Sequence, residues 1–147
     1  VPYMFFMDKL PSNLFHVPVA IGSSFFIGWL YSIGIASNSR VPKVFRKSTI
    51  IFNIALLIPF LYLVLLAVSY ANDPNSDAMF EMLSLHFLSM AGMFYGLWFT
   101  TKQYSTFLKR EELFIFDYGG NLFLFWFFPV GIWFIQPEIN KTLGAEA

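Results

Sequence analysis

Residues 49–71 read TIIFNIALLIPFLYLVLLAVSYA, a run of 23 residues without a charged side chain. At ~1.5 Å per residue, a helix of about 20 residues crosses the ~30 Å hydrocarbon layer of a bilayer. Because a membrane-embedded backbone must satisfy its own hydrogen bonds, such a run predicts a transmembrane helix. Three further stretches are also free of charge, which makes four predicted spans of 19 to 23 residues: 17–36, 49–71, 82–101 and 118–136. We therefore predict an all-α fold, an integral membrane bundle of four transmembrane helices.

The composition supports the bilayer as the solvent of this chain. Of the 147 residues, 57% are apolar and only 12% are charged, whereas a typical soluble domain carries roughly 25% charged residues. Nine basic and nine acidic residues cancel, which argues against nucleic acid as a partner. The loops between the predicted spans are too short for a second domain, so we expect residues 1–147 to form a single membrane domain.

Basic residues lie mainly in two of the three loops. The first and third loops hold seven of the nine Lys and Arg residues, and such loops usually face the cytoplasm. We therefore expect a multi-pass protein with both termini on the non-cytoplasmic side. The first loop also concentrates positive charge that can attract anionic lipid headgroups, at about 1 kcal/mol per charge; its basic residues are Arg40, Lys43, Arg46 and Lys47.

Small residues recur at every fourth position of the first predicted span, and a shorter set follows in the third. A stripe of this kind lets another helix approach closely. These faces either pack inside the bundle or receive a helix of a partner protein. The residues are Ala20, Ser24, Gly28, Ser32, Ala36, Gly92, Gly96 and Thr100. Our leading interpretation is an accessory subunit that packs against a larger membrane complex, with other integral membrane subunits or a second copy as partner.

A few polar residues lie near the cytoplasmic ends of the predicted spans. Asp117 and Asn121 are four residues apart on one helical face, and Asn53 lies at a similar depth. As a polar cluster they would suit a small ion- or solute-translocating protein, because ionisable groups within a membrane are costly and usually functional. The alternative is that Asp117 caps the fourth helix at its N-terminus.

Two histidines, His16 and His86, lie near the outer ends of the first and third predicted spans. Facing imidazoles can ligate a haem or a metal, so haem b or a quinone is a possible ligand of an electron-transfer subunit, although no cofactor is required by the sequence. Pro59 and Pro129 interrupt the second and fourth spans and should kink or break them. A wedge between these two helices could accept a lipid or quinone tail.

The chain has no cysteine and no phosphate-cradling glycine loop, zinc-protease motif or serine-nucleophile elbow. We therefore expect no enzyme activity of its own, and at most a non-catalytic subunit of a membrane enzyme. The stretch from Trp126 to Asn140, WFFPVGIWFIQPEIN, resembles the closing segment of uncharacterised small four-span bacterial inner-membrane proteins. The resemblance implies a bacterial inner-membrane location.

Overall fold

The computed structural model of the protein describes residues 13–73 and 77–144, without the side chains of residues 13–17, 79, 143 and 144. This part of the chain is helical and contains no strand, so the all-α prediction is confirmed there. A single 3-10 turn at Lys43–Phe45 lies between the first two helices. The helices are α1 (Asn13–Arg40), α2 (Ile50–Asn72), α3 (Ala78–Glu81), α4 (Leu83–Lys109), α5 (Ile115–Trp126) and α6 (Phe128–Gly144).

Two helices are long and apolar enough to cross a membrane. They are Pro18–Arg40 of α1, with a mean hydropathy of 1.6, and α2, with a mean hydropathy of 2.7. The consecutive pair α5 and α6 adds a third if it counts as one broken span. Two to three helices of the described part could therefore cross a membrane, and the predicted four spans are not confirmed. At α4 the predicted span fails because a stretch without charge need not be strongly apolar. This helix carries many hydroxyl side chains, which lower its hydropathy.

The predicted span 118–136 is not one straight helix. α5 and α6 are bent by 117° relative to each other at Phe127, two residues before Pro129. With 12 and 17 residues, they measure about 18 and 26 Å along their axes, and each is shorter than the ~30 Å hydrocarbon layer. Gly131 permits the bend, because a methyl group there would overlap the backbone of Leu124.

The second arm of this α5–α6 hairpin packs against α5 and α1 and reaches the C-terminal part of α4. Ile135 and Ile139 pack in one buried cluster with Tyr104 of α4. Glu138 and Thr142 approach the Tyr104 hydroxyl, although no hydrogen bond of ordinary geometry forms there. The end of α6 therefore lies beside the C-terminal part of α4, at the end of the bundle that also holds the 43–47 loop.

The contact between α2 and α4 depends on a close approach of the two backbones. A methyl group at Gly92 would overlap the carbonyl oxygen of Ala55, and one at Gly96 would overlap the side chain of Leu56. Pro59 has no N–H, so the Ala55 carbonyl four residues earlier has no helical partner and lies against Gly92 instead. On the other side of this contact, the rings of Phe52 and Phe99 stack at 4.3 Å and complete the core between α1, α2 and α4.

Candidate functional site

An open groove runs along the surface between α1 and α2, and we call it the α1–α2 groove. Its volume is about 890 Å³, and four of the predicted small residues line one wall: Ala20, Ser24, Gly28 and Ser32. The opposite wall comes from α2: Leu63, Val64, Ala67, Val68 and Ala71. A methyl group added at Gly28 would meet no atom within 4 Å. The described part of the chain therefore leaves the stripe of α1 uncovered.

The serines of the α1–α2 groove do not present free hydroxyl donors. Ser24 donates to the carbonyl of Ala20 and Ser32 to that of Gly28, each at 2.8 Å. Hydrogen bonds of this kind, back to the preceding turn, satisfy the hydroxyl within its own helix. The groove therefore offers a smooth surface to a helix and needs no polar partner.

The other predicted packing residues lie elsewhere. Gly92 and Gly96 are buried against α2, and Thr100 donates to the Leu30 carbonyl of α1 at 3.1 Å. Ala36 is half-buried and does not line the groove. The structure thus uses the small residues of α4 inside the bundle, and among the residues that it describes the stripe of α1 stays open to a partner.

The three residues of the predicted polar cluster have separate surroundings. Asn53 is exposed, while Asn121 donates to the Ser105 hydroxyl at 2.9 Å. The Asp117 carboxylate is exposed and accepts the backbone N–H of Phe114 at 2.9 Å, which is the N-terminal capping interaction. No hydrogen bond joins any two of the three in the described residues, and ion or solute translocation stays a prediction.

The histidines also differ from the expected facing pair. The side chain of His16 lies outside the described part of the chain. The Nδ1 atom of His86 is 2.9 Å from the Tyr62 hydroxyl of α2, and the two rings meet edge to face at 5.4 Å. This interhelical pair was missed by the sequence analysis, because Tyr62 lies 24 residues from His86 within an apolar run.

The Tyr62–His86 pair lines a second space, which we call the inner cavity. It has a volume of about 340 Å³ and lies between α1, α2, α4 and α5. Apart from Tyr62, His86 and two serines, its lining is apolar and aromatic. The sequence predicted a wedge between the helices that contain Pro59 and Pro129. Pro59 and Trp126 both line the cavity, so a space lies close to that position. Pro129 itself is in α6, because α5 ends at Trp126.

Hydrogen bonds of indole groups connect further elements around these two spaces. Trp29 Nε1 donates to Gln136 Oε1 at 2.8 Å and holds α6 against α1. Trp98 Nε1 donates to the Tyr118 hydroxyl at 3.0 Å and joins α4 to α5. A Trp or Tyr within an apolar run indicates that such a hydrogen bond forms, because its polar atom needs a partner when buried. The sequence does not show which residue that partner is.

The basic residues of the first loop form a charged surface at one end of the bundle. Lys43, Arg46 and Lys47 are exposed, and Arg40 is half-buried. The Arg46 guanidinium donates to the Ser39 carbonyl, and Asn38 exchanges two hydrogen bonds of 2.9 Å with the backbone of Lys47. These bonds order the loop, and its ammonium groups stay at the surface.

Over residues 13–73 and 77–144, the protein is all-helical, with two to three helices long and apolar enough to cross a membrane. Comparisons with protein-family models, with curated proteins and with solved structures find no match. Among the described residues, no group of three or more His, Cys, Asp or Glu side chains is placed to hold a metal ion.

Proposed function

We propose that the protein is an accessory subunit of a larger assembly in the bacterial inner membrane, and that the α1–α2 groove receives one transmembrane helix of its partner. The observation that carries the proposal is the open stripe of α1, whose Gly28 faces empty space. Helix association in lipid depends on close packing, and small residues make close packing possible. An uncovered stripe of this length is therefore a surface suited to a partner.

The size of the groove supports a helix as the occupant. From Ala20 to Ser32 the small residues extend about 18 Å along the axis of α1, which is more than half of the ~30 Å hydrocarbon layer. Both walls are apolar apart from the two serines whose hydroxyls are already bonded. A transmembrane helix with an ordinary apolar surface would fill this space without burying an unpaired polar group.

The shape of the groove favours a different chain over a second copy. A symmetric dimer brings the same patch of both copies together. Two concave grooves facing each other would leave a void between them, and interior voids lose packing contacts. A single convex helix from another subunit fits the groove better, and self-association is an outcome that the experiment must distinguish.

The test uses two substitutions in the same helix. Gly28→Leu fills the groove, whereas Gly22→Leu adds the same side chain at an exposed position of α1 that does not line it. The Cβ atom of either new leucine would overlap no neighbouring atom, because no atom lies within 4 Å of that position at Gly22 or Gly28. Leucine is also the better helix former, so both variants are expected to fold.

The tagged protein would be purified from its native membrane in mild detergent, and the co-purifying subunits identified by mass spectrometry. We expect the wild type and Gly22→Leu to retain the same integral membrane partner, and Gly28→Leu to lose it. The proposal is wrong if the wild type is a lone monomer, if the complex contains only copies of this chain, or if Gly28→Leu retains its partner.

A further inference from the structure

The inner cavity combines a polar end with an aromatic wall. The polar end contains the Tyr62–His86 pair and the hydroxyl of Ser89, which donates to its own helix at 2.8 Å. Phe26, Phe94 and Trp126 belong to the aromatic wall. A volume of about 340 Å³ is at the lower end of the range for small-molecule sites, and it suits one ring-sized group.

The Tyr62–His86 pair keeps one hydrogen-bond donor free in either arrangement. A neutral imidazole has one N–H and the phenol has one O–H. If the Tyr62 hydroxyl donates to Nδ1, the N–H at Nε2 is left; if Nδ1 donates, the Tyr62 O–H is left. The pair therefore always has a donor available for an acceptor atom of a ligand, whichever tautomer His86 adopts.

The lining also determines the charge of the ligand. No Lys, Arg, Asp or Glu side chain lines the inner cavity in the described part of the chain. An anionic headgroup would remain without a counter-charge there, and burying an unpaired charge is costly. The cavity is therefore suited to a neutral head that accepts a hydrogen bond and presents flat apolar faces to aromatic rings.

The cavity has an exit toward the outside of the bundle. Its lining includes Met90, Phe94 and Trp126, and these side chains are 42%, 47% and 49% exposed. The rings of Phe94 and Trp126 contact each other at 4.9 Å, so an apolar tail attached to the bound head leaves beside this pair, at Met90. The site thus has the features needed for a molecule that resides in the membrane.

We propose that the inner cavity binds the head of an isoprenoid quinone, with one quinone carbonyl accepting a hydrogen bond from the Tyr62–His86 pair. The flat ring lies against the aromatic wall, and the tail leaves the cavity beside Met90. A neutral glyceride shares the carbonyl acceptor but lacks the flat ring, so it is the competing occupant. The proposal concerns binding alone and does not depend on the α1–α2 groove.

The first experiment is an extraction. The full-length protein would be purified in mild detergent, its lipids extracted with organic solvent, and quinones and glycerides quantified by mass spectrometry. We expect a quinone in near-stoichiometric amount. An extract that contains a stoichiometric glyceride and no quinone would overturn the assignment.

The second experiment is a titration of protein depleted of endogenous ligand with a short-tail quinone, decylubiquinone, monitored by quenching of tryptophan fluorescence. Tyr62→Phe removes either the donor itself or the hydroxyl that fixes the tautomer and orientation of the His86 ring, so we expect roughly tenfold weaker binding, the loss that corresponds to one hydrogen bond. The control Tyr31→Phe removes a hydroxyl outside the cavity from a half-exposed tyrosine of α1 and should bind as the wild type does.

A further variant tests the exit without altering the hydrogen bond. Met90→Trp enlarges an exposed side chain at the exit, so it should fold normally and weaken quinone binding at least several-fold. Saturable quenching of the wild type, together with weaker quinone binding by Tyr62→Phe and by Met90→Trp, supports the proposal. Unsaturable quenching, or wild-type affinity in both Tyr62→Phe and Met90→Trp, contradicts it.

Discussion

The carbonyl oxygen of Ala55 lies against Gly92 at the point where Pro59 has removed the N–H that would otherwise bond it. Two features of the sequence, a proline in α2 and a glycine in α4, therefore belong to one contact. The proline frees the carbonyl, and the glycine provides the space that this carbonyl occupies. The contact fixes how closely α2 and α4 approach each other, and with it the width of the inner cavity.

Gly92→Ala should destabilise the protein by about 1–3 kcal/mol, because the added methyl group overpacks this contact and pushes α2 away from α4. The measurement is reversible unfolding in detergent micelles, followed by circular dichroism. The matched control is Gly120→Ala, an exposed helical position where the added methyl group meets no atom within 4 Å. That control should gain about 0.5–1 kcal/mol, and equal stability of the two variants would contradict the close contact.

The bond between Trp29 and Gln136 should contribute measurably to holding the α5–α6 hairpin against α1. In a double-mutant cycle of Trp29→Phe and Gln136→Leu, we expect a coupling free energy of about 1 kcal/mol. Asn140→Ala removes the neighbouring amide that Gln136 bonds at 2.9 Å and leaves the Trp29 bond in place, so its coupling to Trp29→Phe should be small. Strictly additive effects of the first pair would show that the bond does not stabilise the hairpin.

Asp117→Ala should cost roughly 1 kcal/mol of stability, because it removes the third-residue carboxylate of α5 that accepts the N–H of the N-cap residue Phe114. Asp117→Asn should have an intermediate stability, since asparagine keeps an acceptor oxygen but loses the negative charge that the helix N-terminus favours. Thermal unfolding of the two variants checks this. If instead Asp117→Asn abolishes ion- or proton-coupled flux in vesicles while leaving stability intact, the translocation alternative gains its first support.

The return of α6 leads to a prediction about topology. The basic first and third loops predict both termini on the non-cytoplasmic side, whereas the hairpin carries the end of α6 back to the end of the bundle with the 43–47 loop. A reporter fused after α6 should therefore be on the same side of the membrane as one inserted after Val44. Reporters on opposite sides would mean that α5 and α6 form a single broken crossing.

The sequence located the first two long helices well because charge and hydropathy agree there. The predicted 49–71 is found as Ile50–Asn72, and 17–36 lies within Asn13–Arg40. α4 continues past the predicted residue 101 to Lys109, because Lys102 lies over the Trp98 ring at 5.6 Å and does not end the helix. A charged residue marks the end of a predicted membrane span. The helix itself can continue past that residue when neighbouring side chains accommodate the charge.

The bend at Phe127 and the site residues were harder to predict for a different reason. Pro129 marked a break, but a one-dimensional pattern does not distinguish a kinked crossing from a hairpin. The small residues of the first and third spans look alike in sequence, and only the packing of α2 shows that Gly92 is covered and Gly28 is open. The Tyr62–His86 pair depends on the register between two antiparallel helices. The hydropathy of each helix carries no information about that register.

The short arms of the hairpin also bear on how the chain is built into the membrane. α1 and α2 are long enough to be recognised one after the other as the nascent chain emerges, whereas α5 and α6 each fall short of a full crossing. Since α5 packs on α4 and α6 on α1, we expect both arms to pack there after those helices have formed. A nascent chain released before residue 115 would already contain Tyr62 and His86 but would lack Trp126, so the inner cavity is complete only after α5 has been synthesised.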